Sequence, residues 1–365
     1  MLAERFGVLV PEHYGDPAGE YEAARKGVGL VDMSWRGVIE LTGPDRVQWL
    51  NGQITNDVKD LKAGEGKLAA VLNIKGHILT DLAVYGLSDS VWIDLNRDRA
   101  QIVRDAFDRY IVADDVVAEN ASDRYAHLMV VGPEAQHFMV EAAGAGVADL
   151  PAWHHAEASL GSSPARIITS RWLGMPGYDV IVPVEAAGKA WEALVKLGTG
   201  RGLRPVGMAA LEILRVEAAW PWFGVDFDEG NLLMESLSQD HVSFTKGCYI
   251  GQEVVIRVEH QGHVNKRLCG LWVAGEAVPP AGVGVQSGER PVGTVTSAVR
   301  SPMLGRVIAL GYVRREFWDP GTKLRIGSRS WRVRLGRDVH LRLHHLWFQR
   351  RSSCHYGRRS SIGTA

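Results

Sequence analysis

"LAAVLNIKGHILTDLAVYGL", residues 68–87, decides the class of fold. It reads as two apolar strands joined through Lys75-Gly76, a hairpin signal, so this part of the chain builds an antiparallel sheet. Upstream, "GVIELTG" (37–43) alternates with period two and reads as a strand ending at Gly43. Between the two, "DRVQWLNGQI" puts Val47, Leu50 and Ile54 at helical spacing behind a cap at Asp45. "RDRAQIVRDAFDRYIV" predicts an amphipathic helix with Ile102, Val103, Ala106, Phe107 and Tyr110 on its apolar face. The alternation returns at "GYDVIVP" (177–183), with helices expected over "AAGKAWEALVKLG" and "GMAALEILRVEAA". Hairpins outnumber crossover units, so the expected class is α+β. From about residue 267 helical periodicity stops. "RLCGLWVAG", "GVGVQSG", "RPVGTVTSAV", "RVIALGYV" and "TKLRIG" are short strands divided by Gly and Pro, the pattern of a small all-β barrel or sandwich. The boundary falls near Asn265.

Composition narrows the functions open to this chain. Its 365 residues allow two or three domains with a sizeable core. A formal charge of −1 supplies no global field to recruit nucleic acid or an acidic membrane. No apolar stretch reaches the roughly 18 residues that a membrane helix needs. The first residues, "MLAERFGVLVPEH", hold an apolar run too short for a secretory core, so a cytoplasmic protein with reduced thiols is expected. Cys248, Cys269 and Cys354 are spaced for neither a disulfide framework nor a zinc motif. Residues 337–365 carry six Arg and four His against one Asp, and read as a poorly ordered basic extension. Its histidines show no ligand spacing, so the sequence nominates no metal site.

Four segments occur in an order and at intervals that resemble one family: "LNGQITNDV", "LNIKGHILTDLAVY", "LRVEAAWPWFGVDF" and "KGCYIGQE". Together they make residues 10–336 similar to folate-binding proteins related to the glycine-cleavage T-protein. The last motif resembles the YgfZ branch, whose members assist iron–sulfur cluster assembly or repair. The resemblance implies a three-lobed cloverleaf: two mixed α/β lobes over residues 1–265, then a C-terminal all-β barrel over 266–336. Tetrahydrofolate, or another reduced folate derivative, is then expected in the central hole.

By the same resemblance, Asp81 matches a T-protein aspartate beside the reactive nitrogen of the cofactor, and Tyr85 a tyrosine near the folate. Asp179, in "PGYDV", stands where T-proteins carry a pterin-binding glutamate. A carboxylate there can accept several pterin N–H donors in parallel. Gly251 and Gln252 of the "KGCYIGQE" motif join the expected cofactor-binding set. Thr80 replaces the first of two adjacent acids, and the loop "RWLGMPGYD" is shorter than the T-protein one, which weakens the match at Asp179. Leu211 replaces an arginine that holds folate, and that loss counts against unaltered T-protein chemistry. Arg215 and Glu217 are expected to be structural helix-end ion-pairing groups.

Cys248 and Lys246 carry the branch-specific expectation. A free thiol titrates near about 8.5, and a neighbouring cation or helix N-terminus lowers this. The following "GQEVVIRVEH" could open a helix or, with its β-branched run, form a strand. Cys269, on a barrel strand, is expected in the core. The leading reading is thus a tetrahydrofolate-binding accessory protein for iron–sulfur cluster assembly or repair, with Cys248 as essential thiol. Its partners would be folate and iron–sulfur assembly or client proteins, with no nucleic acid and no membrane. The alternative is a folate-dependent aminomethyl or methyl transferase, which Asp81 favours and Leu211 and Cys248 oppose. A third reading is a non-catalytic folate-binding module.

Overall fold

The computed structural model describes residues 1–319, 321–327 and 331–335, so the 337–365 extension lies outside the described residues. The hairpin forms as its sequence predicts. Gly66–Leu72 pairs antiparallel with Ile78–Gly86, placing Ala70 opposite Asp81 and Leu68 opposite Ala83. Gly76 takes φ +75° at the tip, and Asn73 Oδ1 accepts from the backbone N–H groups of Lys75 and His77.

This hairpin belongs to a five-stranded sheet ordered Gly66–Leu72, Ile78–Gly86, Val91–Asn96, Arg36–Thr42, Val117–Asn120. A six-stranded sheet runs His155–Leu160, Ser163–Ser170, Gly177–Pro183, Tyr125–Val131, Val28–Asp32, Leu203–Val206. Only its last pair is parallel. The whole five-stranded sheet is inserted between Val28–Asp32 and Tyr125–Val131, which are neighbours in the six-stranded one. The two α/β lobes are therefore nested along the chain, not successive.

Each sheet has a pair of helices on its outer face. Arg46–Gln53 and Arg97–Asp108 pack Trp49, Leu50, Val103 and Phe107 against Ile39, Val84 and Ile93. Ala135–Ala143 and Ala187–Gly198 cover the six-stranded sheet through Phe138, Met139, Ala190 and Leu194. The Arg97–Asp108 helix buries Ala100, Val103 and Phe107, whereas Ile102 and Tyr110 are exposed. Positions 100, 103 and 107 make a narrower stripe than the one expected, and Tyr110 lies past the helix end. Asp45 does not cap its helix; its Oδ2 accepts from the Asp115 N–H instead.

The inner faces of the two sheets share one core, to which Pro17–Lys26 adds Tyr21 and Ala24 and Met208–Glu217 adds Leu211 and Leu214. Strand alternation decides what enters it. Along Ile78–Gly86, Leu82 and Val84 go to the helix side, while Ala83 and Tyr85, with Asp81 in the same phase, face the other sheet.

Six strands close the C-terminal barrel, in the order Lys266–Val273, Arg306–Arg314, Arg290–Ser301, Gly284–Ser287, Lys323–Ile326, Trp331–Leu335. Cys269 is buried inside it with Leu271, Val285 and Val295, as expected, and burial pushes its thiol up to about 11. The helix Met208–Glu217 joins barrel and sheets. Arg215 is fully buried and donates to Glu212, to Asp226 Oδ2 at 2.7 Å and to Ser297 Oγ at 2.7 Å. Glu217 is structural too, but it meets hydroxyls and no cation: Tyr21 and Ser301 both donate to it.

"GQEVVIRVEH" resolves to a helix, Gln252–Gln261, behind Gly251 at φ +78°. Val255 carries its branched side chain into the core that includes Leu72 and Ile78. Among the described residues no helix is long and apolar enough to cross a membrane.

Candidate functional site

Period-two alternation in apolar strands brings a set of polar residues to the shared face. Asp81 and Tyr85 come from Ile78–Gly86, and Asp94 from Val91–Asn96, directly opposite Ala83. Arg36 begins the next strand. From the six-stranded sheet come His127, opposite Ile181, and Asp179, opposite Ile168 and Met129. All six are buried. Buried charges are costly unless paired, so each one needs an account.

Arg36 Nε donates to Asp94 Oδ1 at 2.8 Å and its Nη1 to Asn96 Oδ1 at 3.1 Å. Asp179 is held on both oxygens, by Trp172 Nε1 at 2.9 Å and Ser170 Oγ at 3.2 Å. Burial, then the charge of Asp94, push its carboxyl up to about 7. Asp81 differs: no described side chain donates to its carboxylate, and burial raises it to about 6 against the pull of Arg36. Burial keeps His127 neutral by lowering it to about 4. Among the described residues, Arg36 Nη2, Asp94 Oδ2, the Tyr85 hydroxyl and both His127 ring nitrogens have no hydrogen-bond partner. The Tyr85 hydroxyl is raised well above its ordinary value, by burial first and then by Asp94 and Asp179.

Tryptophans wall this cluster. Trp172 stacks on Trp220 with ring centres 4.9 Å apart and an interplanar angle of 17°. Trp153 meets Trp172 edge-on at 4.5 Å, and Trp222 meets Trp220 edge-on at 5.6 Å. The Arg36 guanidinium lies 5.8 Å from the Trp172 ring centre. Flat aromatic surface next to unpaired polar atoms suits a planar, hydrogen-bonding ring.

Of the residues nominated from sequence, the fold thus assembles Asp81, Tyr85 and Asp179. Arg36, Asp94, His127 and the tryptophans were not nominated. Their one local signal is a polar residue inside an apolar strand, as in "VWIDLN" and "YAHLMVV".

The "KGCYIGQE" residues lie elsewhere. They pack on the hairpin tip, where a Cβ on Gly251 would come within 2.6 Å of the Asn73 carbonyl oxygen. A Cβ on Gly76 would equally strike Val254. Gln252 opens the helix that this contact positions. Lys246 is buried, and its ammonium donates to the carbonyls of Asn51, Ile54 and Asn56 at 2.6–2.8 Å. Burial lowers that ammonium to about 8. Its hydrogen bonds thus serve the loop after Arg46–Gln53, and none of them reaches Cys248, which is exposed. Among the described residues no contact joins Cys248 to Asp81, Tyr85 or Asp179. Leu211 is fully buried in the shared core, so that position presents no cation.

Two nested sheets and a closing barrel are the fold this chain shares with the glycine-cleavage T-protein. Residues 2–246 match the GCVT N-terminal domain model, and residues 266–336 match that of the glycine cleavage T-protein C-terminal barrel domain. The chain belongs to this family. It is 31% identical to the aminomethyltransferase of Streptomyces avermitilis over 317 residues, 86% of this chain and 85% of that protein. With the aminomethyltransferase of Halothermothrix orenii it shares 28% identity over 332 residues, 90% of this chain and 92% of that one. Its fold matches the crystal structure of glycine cleavage system aminomethyltransferase T from Bartonella henselae with a TM-score of 0.84. That match is 22% identical and covers 93% of this chain and 94% of the other.

Proposed function

We propose that this chain is a folate-dependent transferase of an aminomethyl or methyl group, working in the space between its two sheets. One observation carries the reading: Asp81 is a buried carboxylate to which no described side chain donates, set between the sheets with Arg36 and Asp94 close enough to move its titration. A charge held in that state at a cost to the fold is a common mark of a reacting group. The relatives named above are aminomethyltransferases, and none of them carries the iron–sulfur reading, which rested on "KGCYIGQE". The packing role of Gly251 and the carbonyl partners of Lys246 give that motif a structural use. The transferase alternative therefore replaces the accessory-protein reading.

The interior fits a reduced folate by its chemistry. Tyr85 and Arg36 offer unpaired donors, Asp81 and Asp179 offer acceptors for ring N–H groups, and Trp172 and Trp220 offer apolar faces. A bound tetrahydrofolate supplies a nucleophilic nitrogen that carries the one-carbon unit. Asp81, ionised above about pH 6, stabilises positive charge that develops at that nitrogen. Asp179, fixed by Trp172 and Ser170, orients the ring. Burial between the sheets keeps bulk water from both.

Calorimetry with tetrahydrofolate, paired with an assay for folate-dependent ammonia release from a lipoyl-bound aminomethyl group, tests the proposal. Native protein should bind the folate and release ammonia. Asp81→Asn should abolish release and weaken binding by about 1.5–3 kcal/mol, the worth of one charge-assisted contact. Absence of folate binding, or turnover indifferent to Asp81→Asn, would refute it.

A further inference from the structure

We propose that Asp94, His127 and Asp179 form a site for one divalent transition-metal ion, set into the polar floor between the two sheets. It shares Asp179 with the folate reading, and its test below needs no folate.

Geometry comes first. One donor atom from each of the three residues can be chosen so that all lie within 4.8 Å of one another. Zinc binds nitrogen and carboxylate oxygen at about 2.0–2.2 Å, so three donors around one tetrahedral or trigonal ion stand about 3.3–3.8 Å apart. Side-chain closure of up to about 1 Å converts the three donors into a ligand set. No planar ring fits inside such a triangle, whereas an ion does.

The orphaned atoms point the same way. His127 is buried, its Nδ1 lies 3.7 Å from Asp94 Oδ1, and neither ring nitrogen has a partner. Asp94 has given Oδ1 to Arg36 and keeps Oδ2 unpaired. Native interiors seldom leave such groups unmatched, and a bound ion is one standard reason when they do. Outer-shell bonds are already in place, from Arg36 Nε to Asp94 and from Trp172 Nε1 and Ser170 Oγ to Asp179. Such bonds orient metal ligands. One imidazole and two carboxylates suit a borderline ion such as Zn²⁺ or Co²⁺; Mg²⁺ and Ca²⁺ require six or more oxygen ligands.

The test uses the full chain, stripped with a chelator and titrated with Zn²⁺ and Co²⁺. The tail histidines His340, His344, His345 and His355 also attract metal, so the readout is a difference between proteins. Native protein should bind one equivalent more than His127→Gln and show a visible Co²⁺ absorption band that the variant lacks. Affinity at that site should fall by more than ~100-fold, beyond the range for outer-shell changes. Equal stoichiometry in the two proteins overturns the proposal. Should His127→Gln fail to fold, zinc-edge X-ray absorption on native protein loaded with one equivalent decides. One imidazole among oxygen ligands supports the site; several imidazoles, or no retained zinc, overturn it.

Discussion

Replacing Asp81 with Asn should make the protein more stable and inactive at once. No described side chain donates to the Asp81 carboxylate, and burial raises it from 3.8 to about 6. Each unit of difference between folded and unfolded chains is worth about 1.36 kcal/mol, so ionised Asp81 costs the fold about 3 kcal/mol. Below about pH 4 the group is protonated in both states and no cost exists. Between about pH 4 and pH 6 the unfolded chain releases its proton first, and native stability falls as pH rises. Above about pH 6 the full deficit persists. Asn has the shape of the protonated acid and cannot ionise, so it escapes the deficit altogether. Urea unfolding at about pH 7.5 should therefore show Asp81→Asn near 3 kcal/mol more stable than native, at an unchanged denaturant slope. At about pH 4 the two curves should coincide. Native protein equal to or more stable than the variant at about pH 7.5 would mean that the Asp81 charge is satisfied in the fold and does not await a ligand.

Three further outcomes follow from burial and bonding. Lys246→Met removes the donor to three carbonyls around residues 51–56, and chemical denaturation should show a loss of at least ~3 kcal/mol, while exposed Cys248→Ala leaves the midpoint nearly unchanged. Arg215→Met leaves Asp226 buried without its cation, and urea unfolding should register a loss of about 3–5 kcal/mol. With Cys354 replaced by Ser, a small alkylating reagent at neutral pH should label Cys248 alone, because burial shields Cys269 and raises its thiol to about 11; mass spectrometry showing Cys269 modified in native protein would contradict the barrel packing.

What the sequence carried was local. The hairpin at 68–87, the strand at 177–183 and the short barrel strands follow from alternation and turn residues, which any window of ten residues contains. Nesting is not local. Val28–Asp32 pairs with Tyr125–Val131 and Leu203–Val206, and no turn chemistry links strands so far apart. The polar floor was hidden for a related reason. Arg36, Asp94 and His127 are single polar residues in three apolar strands, and each alone reads as an edge residue facing solvent. Only the approach of two sheets makes them a cluster. Asp81, Tyr85 and Asp179 were legible through resemblance alone, since composition gives a strand aspartate no special status. The motif "KGCYIGQE" is distinctive around a cysteine and so suggests thiol chemistry; what the string does not reveal is that its glycine and lysine serve close packing and carbonyl bonding.

Asp81 and Asp179 divide the work of the interior because their surroundings differ. Both are buried and both titrate well above an ordinary carboxyl, yet Asp179 is fastened by Trp172 and Ser170 while no described side chain donates to Asp81. A fastened carboxylate has its geometry fixed before any ligand arrives, so it can orient a ring or hold an ion. One without a side-chain donor keeps most of its field for a group not yet present, and the fold bears the cost of keeping it so. Trp172 links the two arrangements: its N–H fixes Asp179, its face stacks on Trp220, and Arg36 lies above the ring. A change in the aromatic wall therefore reaches the polar floor through a single side chain. That coupling is why the tryptophans belong to the site and not merely to the core.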